Sequence, residues 1–460
     1  MDNLIEQFQA LLGPSGVLLG DDVTSRAAAV FGGDGSNPAS AILRPRTTED
    51  VSQIMKLCSA AGRRIVPWGG GTGLVKGQIA HDGELQLSLE LMNRVENVDS
   101  QARTAVVQAG VTLQGVQEAA DGADLFFTLD LGGRGTATIG GNISTNAGGN
   151  RVVRYGMARD NVLGIEAVLA DGTIISSLNQ MIKNNAGYDL KQIFIGTEGT
   201  LGVITRAVVR LREKPRSECT AMVALASFDN LIAFLKEIDG RLGGTLSAFE
   251  VLWNNYYTTV TNEDAYRAPM PQDYPYYILV EALGGDANDD QDRFERALMA
   301  TMEDGLLADA VIAKSDSERA DLWALRDAVM VFIEAGPCFS FDVSLRITDM
   351  EEYSNQVKTE IQAIWPEGNA YTFGHIGDGN VHFLVSVGDG SDDAHHKVEE
   401  IVYKNLTKYH GSVSAEHGVG IEKKPWLYIS RSEEEVALMR RLKRAMDPDG
   451  ILNPGKIFDV

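Results

Sequence analysis

A twenty-one-residue tract, Asp130-Leu-Gly-Gly-Arg-Gly-Thr-Ala-Thr-Ile-Gly-Gly-Asn-Ile-Ser-Thr-Asn-Ala-Gly-Gly-Asn150, limits the folds open to this chain more than any other stretch. Seven of its residues are glycine, and half of the remainder carry hydroxyl or amide side chains. Main chain so poor in Cβ atoms can lie directly against a flat, polar ligand. A second glycine cluster precedes it, in Ile65-Val66-Pro67-Trp68-Gly-Gly-Gly-Thr-Gly73. A strand running into four glycines and a threonine presents backbone N–H groups at close range, which is one way to hold phosphate. It is not a Walker loop, since no Gly-Lys-Ser/Thr follows, and its spacing is not that of the dinucleotide fingerprint. A single glycine cluster is weak evidence and is readable as a flexible turn; the second tract strengthens the case for a ligand.

At 460 residues the chain exceeds one ordinary core, so two or three domains are expected. With 41 basic against 64 acidic residues the formal charge is −23, which argues against a nucleic-acid partner or an anionic membrane. Cys58, Cys219 and Cys338 are far apart and form no CxxC pair, so neither a disulfide framework nor a thiolate zinc site is implied. Residues 1–13 lack a basic n-region and read as an amphipathic helix through Leu4, Ile5, Phe8, Leu11 and Leu12. No run reaches the length of a membrane span. A cytoplasmic protein is expected.

In chain order, Ala41–Pro45 reads as a strand, and a helix capped at Thr47 or Thr48 keeps Val51, Ile54, Met55 and Cys58 at helical spacing. Strands are expected at Leu85–Leu89, Thr104–Ala109 and Leu201–Leu211, a helix at Leu113–Ala120, and a hairpin joining Val162–Gly172 to Thr173–Ser176. Pro215 marks a boundary. Beyond it, strands at Ala221–Leu225, Ala248–Leu252 and Tyr276–Glu281 alternate with helices at Asn230–Lys236 and Asp292–Met299, which predicts an α+β domain with helices on one face of an antiparallel sheet. The acidic run Gly284–Asp292 reads as a solvated connector. A charged helix is expected over Glu433–Met446.

The densest chemistry lies in Gly374-His375-Ile376-Gly377-Asp378-Gly379-Asn380-Val381-His382. Asp378-Gly379 predicts a two-residue type I′ turn. Counting outwards, His375 would face His382 as a cross-strand pair, about 5 Å apart at Cβ. Glu416-His417, in the glycine-punctuated segment Gly411–Gly420, adds a carboxylate and a third imidazole. His375, His382 and Glu416 form a ligand set for a divalent cation with an open position. A lone histidine would be better read as a satisfied core residue; three of only seven converging with a carboxylate favour a metal.

The tracts Pro67–Gly73, Ile139–Gly149 and Gly196-Thr-Glu-Gly-Thr-Leu-Gly202 resemble the FAD-binding domain of the vanillyl-alcohol oxidase and p-cresol methylhydroxylase superfamily. Gly374-His375 with His382, Ser412–Gly420 and Ile451-Leu-Asn-Pro-Gly-Lys456 resemble its D-2-hydroxyacid dehydrogenase branch, which includes D-2-hydroxyglutarate, D-lactate and glycolate enzymes. The resemblance covers nearly the whole chain. It implies an α+β protein with a two-part FAD-binding domain over 1–215, a substrate domain over 216–415 and a C-terminal segment, 416–460, that returns to the flavin. Gly69, Gly70, Gly71, Thr72, Gly73 and Leu74 match the pyrophosphate loop. Gly140, Gly141, Asn142, Thr145, Asn146 and Gly149 match the tract along the flavin, and Ile204 and Asn453 match further cofactor positions. Neither tract contains a histidine or cysteine for covalent attachment, so noncovalent FAD is expected.

The implied reaction is oxidation of a D-2-hydroxyacid to the 2-oxoacid. A zinc or manganese ion on His375, His382 and Glu416 would bind the hydroxyl and carboxylate oxygens together. His417 is the expected base, and Arg326 matches an arginine that pairs with the substrate carboxylate. Its alternative is an ion pair with Asp327 or Glu334. Three polar positions of D-2-hydroxyglutarate enzymes are occupied here by Met330, Ser340 and Leu384, and Arg346 stands where a proline is usual. D-2-hydroxyglutarate, or D-lactate or another apolar acid, is the expected substrate, with Arg346 as a replacement cation. The expected electron acceptor is an electron-transfer flavoprotein or a quinone, and a homodimer is compatible with the resemblance. A metal-independent flavin oxidase and an electron-transfer flavoprotein subunit are the rival readings.

Overall fold

The computed structural model describes residues 2–30 and 35–460. The chain divides into two compact units. The first comprises Met1–Gly148, Gly156–Lys214 and Glu416–Val460; the second comprises Gly149–Tyr155 and Pro215–Ala415.

Unit 1 is built on a four-stranded and a five-stranded sheet, with a short two-stranded pair of Leu125–Phe126 and Arg212–Glu213. Strand Leu85–Ser88 lies between Ala41–Leu43 and Ile65–Trp68, parallel to both, and short Val17–Leu18 closes the edge antiparallel. The second sheet is antiparallel, in the order Val95–Asp99, Thr104–Gln108, Val203–Arg210, Val162–Val168, Ile174–Ser177. The helix Thr48–Ala61 starts at Thr47, whose hydroxyl accepts from Asp50 N–H while the Asp50 carboxylate accepts from Thr47 N–H, a reciprocal capping box. It ends at Gly62 with φ 58°. Its apolar stripe, Val51, Ile54, Met55 and Cys58, fills a core shared with Phe8, Ile65, Leu85, Ile451 and Leu452. The first helix spans Asp2–Leu12; Met1, where the reading of 1–13 begins, lies outside the described residues.

Unit 2 is a seven-stranded, wholly antiparallel sheet. Its order is Asp309–Ile312, Ser217–Leu225, Tyr276–Gly284, Leu246–Trp253, Asn369–Gly374, Asn380–Ser386, Phe339–Ser344. Helices cover both faces, not one. Alternate residues explain this, because both sets are apolar. Met222, Leu252, Tyr277, Leu279 and Phe373 pack with Tyr256, Tyr257, Leu322, Leu325 and Phe332 of the helical segments Asn254–Thr261, Asp316–Asp327 and Met330–Glu334. On the other face, rings of Phe249, Phe383 and Phe341 meet Phe234, Tyr353 and Tyr403 of helices Phe228–Leu242, Met350–Ile364 and Asp392–Tyr409.

The acidic run Gly284–Asp292 is not a connector. Asp286 accepts from the N–H groups of Asn288 and Asp289 at 3.0 and 3.1 Å, and the helix Ala287–Glu303 begins there. Carboxylates in a first turn complement the helix dipole, which is why an acidic stretch can start a helix. Among the described residues no helix is long and apolar enough to cross a membrane.

Candidate active site

In unit 1 the two glycine tracts meet main chain to main chain. A Cβ on Gly70 would collide with the carbonyl of Thr136, and one on Gly140 would fall 2.7 Å from Ala109 Cβ, so these approaches exclude any other residue. Thr138 caps the short helix Ile139–Thr145, and Asn146, at φ 52°, ends it. Gly69, Gly73, Thr72, Gly141 and Thr145 are partly exposed, Leu74 is exposed, and Gly71, Asn142, Ile204 and Asn453 are buried. Near the tracts, Trp68 Nε1, Asn142 Nδ2 and Asn453 Oδ1 are buried without a hydrogen-bond partner among the described residues. Buried polar groups are nearly always paired, so a polar ligand along both tracts fits these residues. Asn453 is fixed by donating from Nδ2 to Glu198 O at 2.6 Å and from its N–H to Ile65 O at 2.8 Å. Gly149 opens the segment assigned to unit 2.

Glu198, which sequence reasoning passed over, is half-buried at φ 52° and accepts from the N–H groups of Val419 and Gly420 at 2.7 and 2.8 Å. Burial pushes its carboxyl up, against the pull of those two N–H groups and of Lys423 and Lys456. It thereby anchors the turn that follows Glu416-His417. The signal was present as the Glu of Gly196-Thr-Glu-Gly199, a carboxylate among glycines.

In unit 2 the predicted histidine hairpin is corrected. His382 stands opposite Phe373, not His375. Of Asp378 and Gly379 only the glycine takes positive φ, at 94°, while Ile376–Asp378 forms a 3₁₀ turn that follows His375. A type I′ turn needs positive φ at both central residues, and Asp378 does not adopt it. The register differs by two, an even number, so the face is unchanged. The two imidazoles still lie edge to face, with centroids 5.2 Å apart.

Glu250, in the strand Leu246–Trp253, organises this cluster. His375 Nδ1 donates to Glu250 Oε1 at 2.6 Å, and Arg326 Nε donates to Oε2 at 2.9 Å. Arg326 Nη2 lies 3.0 Å from His375 Nε2, which accepts. Glu250 is 1 % exposed and His375 4 %. Burial alone would raise the Glu250 carboxyl; the charges and hydrogen bonds of His375 and Arg326 overcome it and hold the pKa down at about 2. A carboxylate on Nδ1 fixes the tautomer and puts the lone pair on Nε2, where Arg326 now donates to it; metal-ligating imidazoles are oriented by a carboxylate in the same way. His382 Nδ1 lies 3.8 Å from Asp342 Oδ1, and the two are cross-strand partners. Asp342 Oδ2 accepts from Ala415 N–H at 3.1 Å, and Glu416 is the next residue in the chain.

Arg326 also donates to Asp327 at 3.1 Å and lies 5.7 Å over the Phe373 ring. The ion pair with Asp327 therefore forms alongside the bond to Glu250. Arg346 stands apart, 76 % exposed and paired with Asp349 at 2.7 Å. Leu384 is buried in the aromatic cluster, Met330 is half-exposed, and Ser340, opposite Leu384, is exposed. Glu250 escaped sequence reasoning because it sits inside an apolar strand, Ala248-Phe-Glu-Val-Leu252; a lone carboxylate at an inward position was the available signal.

A glycine-lined unit and an antiparallel sheet unit together define the class, a two-unit FAD-binding fold. Residues 39–177 match an FAD binding domain, and residues 214–457 match the FAD linked oxidases, C-terminal domain. The chain belongs to this FAD-linked oxidase family. It is 38 % identical to D-2-hydroxyglutarate dehydrogenase of Xanthomonas citri pv. viticola, over 91 % of this chain and 89 % of that one. It is 37 % identical to the mitochondrial D-2-hydroxyglutarate dehydrogenase of Arabidopsis thaliana, over 91 % and 74 %. Its fold is that of p-cresol methylhydroxylase with substrate bound, at TM-score 0.80 and 17 % identity over 100 % of this chain and 97 % of that one.

Proposed function

We propose that this protein oxidises a D-2-hydroxyacid to the 2-oxoacid, with D-2-hydroxyglutarate or a related acid as substrate. The buried Glu250–His375–Arg326 cluster beside His382 carries the proposal, because a histidine held by a carboxylate next to a second imidazole is built for a cation and for an acid bound to it. Bound FAD supplies the hydride acceptor, and a divalent ion, zinc or manganese, supplies a Lewis acid for the hydroxyl and carboxylate oxygens. His375, His382 and Glu416 hold the ion. Gly69–Leu74, Gly140, Gly141, Asn142, Thr145, Asn146, Gly149, Ile204 and Asn453 hold FAD without a covalent bond. Arg326 presents its guanidinium to the substrate carboxylate, and His417 accepts the hydroxyl proton as the α-hydrogen leaves. Residues 1–215 with 416–460 serve the cofactor and 216–415 the substrate. Electrons pass on to an electron-transfer flavoprotein or a quinone.

A second reading, an acid with an apolar side chain such as D-lactate, is favoured by Leu384 in the aromatic cluster and by half-exposed Met330 one turn beyond Arg326. On the first reading Arg346 would have to leave its exposed pair with Asp349 to offer a cation to a second carboxylate. The deciding experiment mixes zinc-loaded holoenzyme anaerobically with D-2-hydroxyglutarate, D-lactate and D-2-hydroxybutyrate and records flavin bleaching. Bleaching by at least one acid, and not by its L-enantiomer, is expected. No bleaching by any of them would sink the proposal.

A further inference from the structure

The chemistry above leaves one buried amide unused. Asn380 opens the strand Asn380–Ser386, is 4 % exposed, and neither its Oδ1 nor its Nδ2 has a hydrogen-bond partner among the described residues. A side-chain amide offers two donor hydrogens and an acceptor oxygen, and leaving both ends unpaired in a dry place is costly. An asparagine beside a tight turn ordinarily spends its side chain on nearby main chain. Here that main chain is already served: Asn380 N–H donates to His375 O at 3.2 Å, Gly379 N–H to Ile376 O at 3.2 Å, and Leu345 N–H to Gly379 O at 3.1 Å. The amide is therefore not a turn-former.

Strand alternation sets its direction. Asn380, His382 and Leu384 share one face, and His382 on that face is within ring contact of His375. Ser344 stands opposite Asn380, and its main chain exchanges two hydrogen bonds with Ser412, at 3.0 and 2.6 Å. That pairing begins the segment whose Ala415 N–H is held by Asp342, the cross-strand partner of His382. Asn380 thus lies on the face of the histidine cluster and beside the chain that leads to Glu416-His417.

We propose that Asn380 is a substrate-binding residue, its Nδ2–H donating to the carboxylate of the 2-hydroxyacid while Oδ1 accepts from an accompanying water. This rests on the reading of the site as one for a hydroxyacid. An acceptor-only anion meets the donor end, and a water, which donates, meets the oxygen.

The test is calorimetric titration of dithionite-reduced, zinc-loaded holoenzyme, which binds D-2-hydroxyglutarate and D-lactate without oxidising them. Asn380→Leu is expected to weaken binding of the acid that wild type prefers at least tenfold, and Asn380→Asp to weaken it further, because its charge repels the anion. Zinc content stays at the wild-type level, and the ligand-free leucine variant melts at or above wild type, since an unpaired polar group has been replaced by an apolar one of similar shape. A merely structural asparagine would give the reverse order, with aspartate nearer wild type than leucine. Should the leucine variant precipitate, Asn380→Ala is read in the same way. Wild-type affinity in these variants overturns the proposal alone; a reduced wild-type enzyme that binds no D-2-hydroxyacid overturns the functional reading and the proposal with it.

Discussion

Glu250 decides more at the scale of single residues than either histidine. It joins a guanidinium and an imidazole in a space closed to water, where each hydrogen bond is stronger and each unpaired charge costlier than at the surface. Removing one member of such a group leaves the others buried without compensation. Glu250→Ala is therefore expected to destabilise unit 2 by about 3–5 kcal/mol, read as a lowered urea midpoint with an unchanged slope. Glu250→Gln keeps the shape but not the charge. It is expected to fold while binding zinc roughly 10–100-fold more weakly, measured by competition with a chelator. A glutamine variant with wild-type zinc affinity would remove Glu250 from the metal's surroundings. His375 and His382 were legible in the sequence because histidine is scarce and glycine marks the turn. Glu250 was not, since its partners arrive from 76 and 125 residues away.

At the scale of elements, local signals with local causes were readable. The capping box at Thr47, the stripe Val51-Ile54-Met55-Cys58 and the Val162–Ser177 hairpin each depend on residues a few positions apart. The histidine hairpin shows where this ends. Asp378-Gly379 is a strong local preference for a two-residue turn, yet Gly374, at φ 151°, and the 3₁₀ turn lengthen the connection. Register is set by pairing along the whole sheet, and the main chain of Gly374 pairs with Val251 of a strand far away in sequence. The strand Val162–Val168 of unit 1 supplies a pH prediction. Glu166 is buried there, which pushes its carboxyl up, but the hydroxyls of Thr48 and Ser176, at 2.7 and 2.8 Å, and the charge of Arg206 together hold it below its usual value. A carboxyl lowered in the folded state adds stability above its unfolded pKa, about 4.3, and loses it as the pH falls through the folded value. Thermal melting of unit 1 is therefore expected to fall more steeply on acidification from about pH 5 to about pH 3 in wild type than in Glu166→Gln. Parallel curves would exclude this role for Glu166.

At the scale of the whole molecule, neither unit is one continuous stretch. Unit 2 takes in Gly149–Tyr155 from the end of the second glycine tract, where Arg151 Nε donates to buried Glu281 Oε1 at 3.1 Å and Arg154 donates to the carbonyls of Thr245 and Leu283. No local pattern announces that excursion, because its anchors are main-chain and side-chain acceptors about 90–130 residues away. Unit 1 is completed by the C-terminal segment. Ile451 and Leu452 fill the core beside Ile65, and Leu452 forms a parallel bridge with Ile65. The Lys443 ammonium is buried on Asp447 Oδ2 and on the carbonyls of Leu452 and Thr200, at 2.5, 2.6 and 2.8 Å. Burial pulls that ammonium down, and the Asp447 carboxylate opposes the shift. Both glycine tracts are complete by residue 150, yet a chain ended after Ala415 is expected to hold no FAD. It lacks the packing behind the strand that feeds the first tract, and it lacks Asn453. Leu452→Ala in the full chain is expected to cost about 2–5 kcal/mol and to lower the unit 1 melting temperature without changing the number of FAD bound when the cofactor is in excess. Stoichiometric FAD on the chain ended at Ala415, measured by flavin absorbance after gel filtration, would show that the glycine tracts suffice and that the C-terminal return serves stability alone.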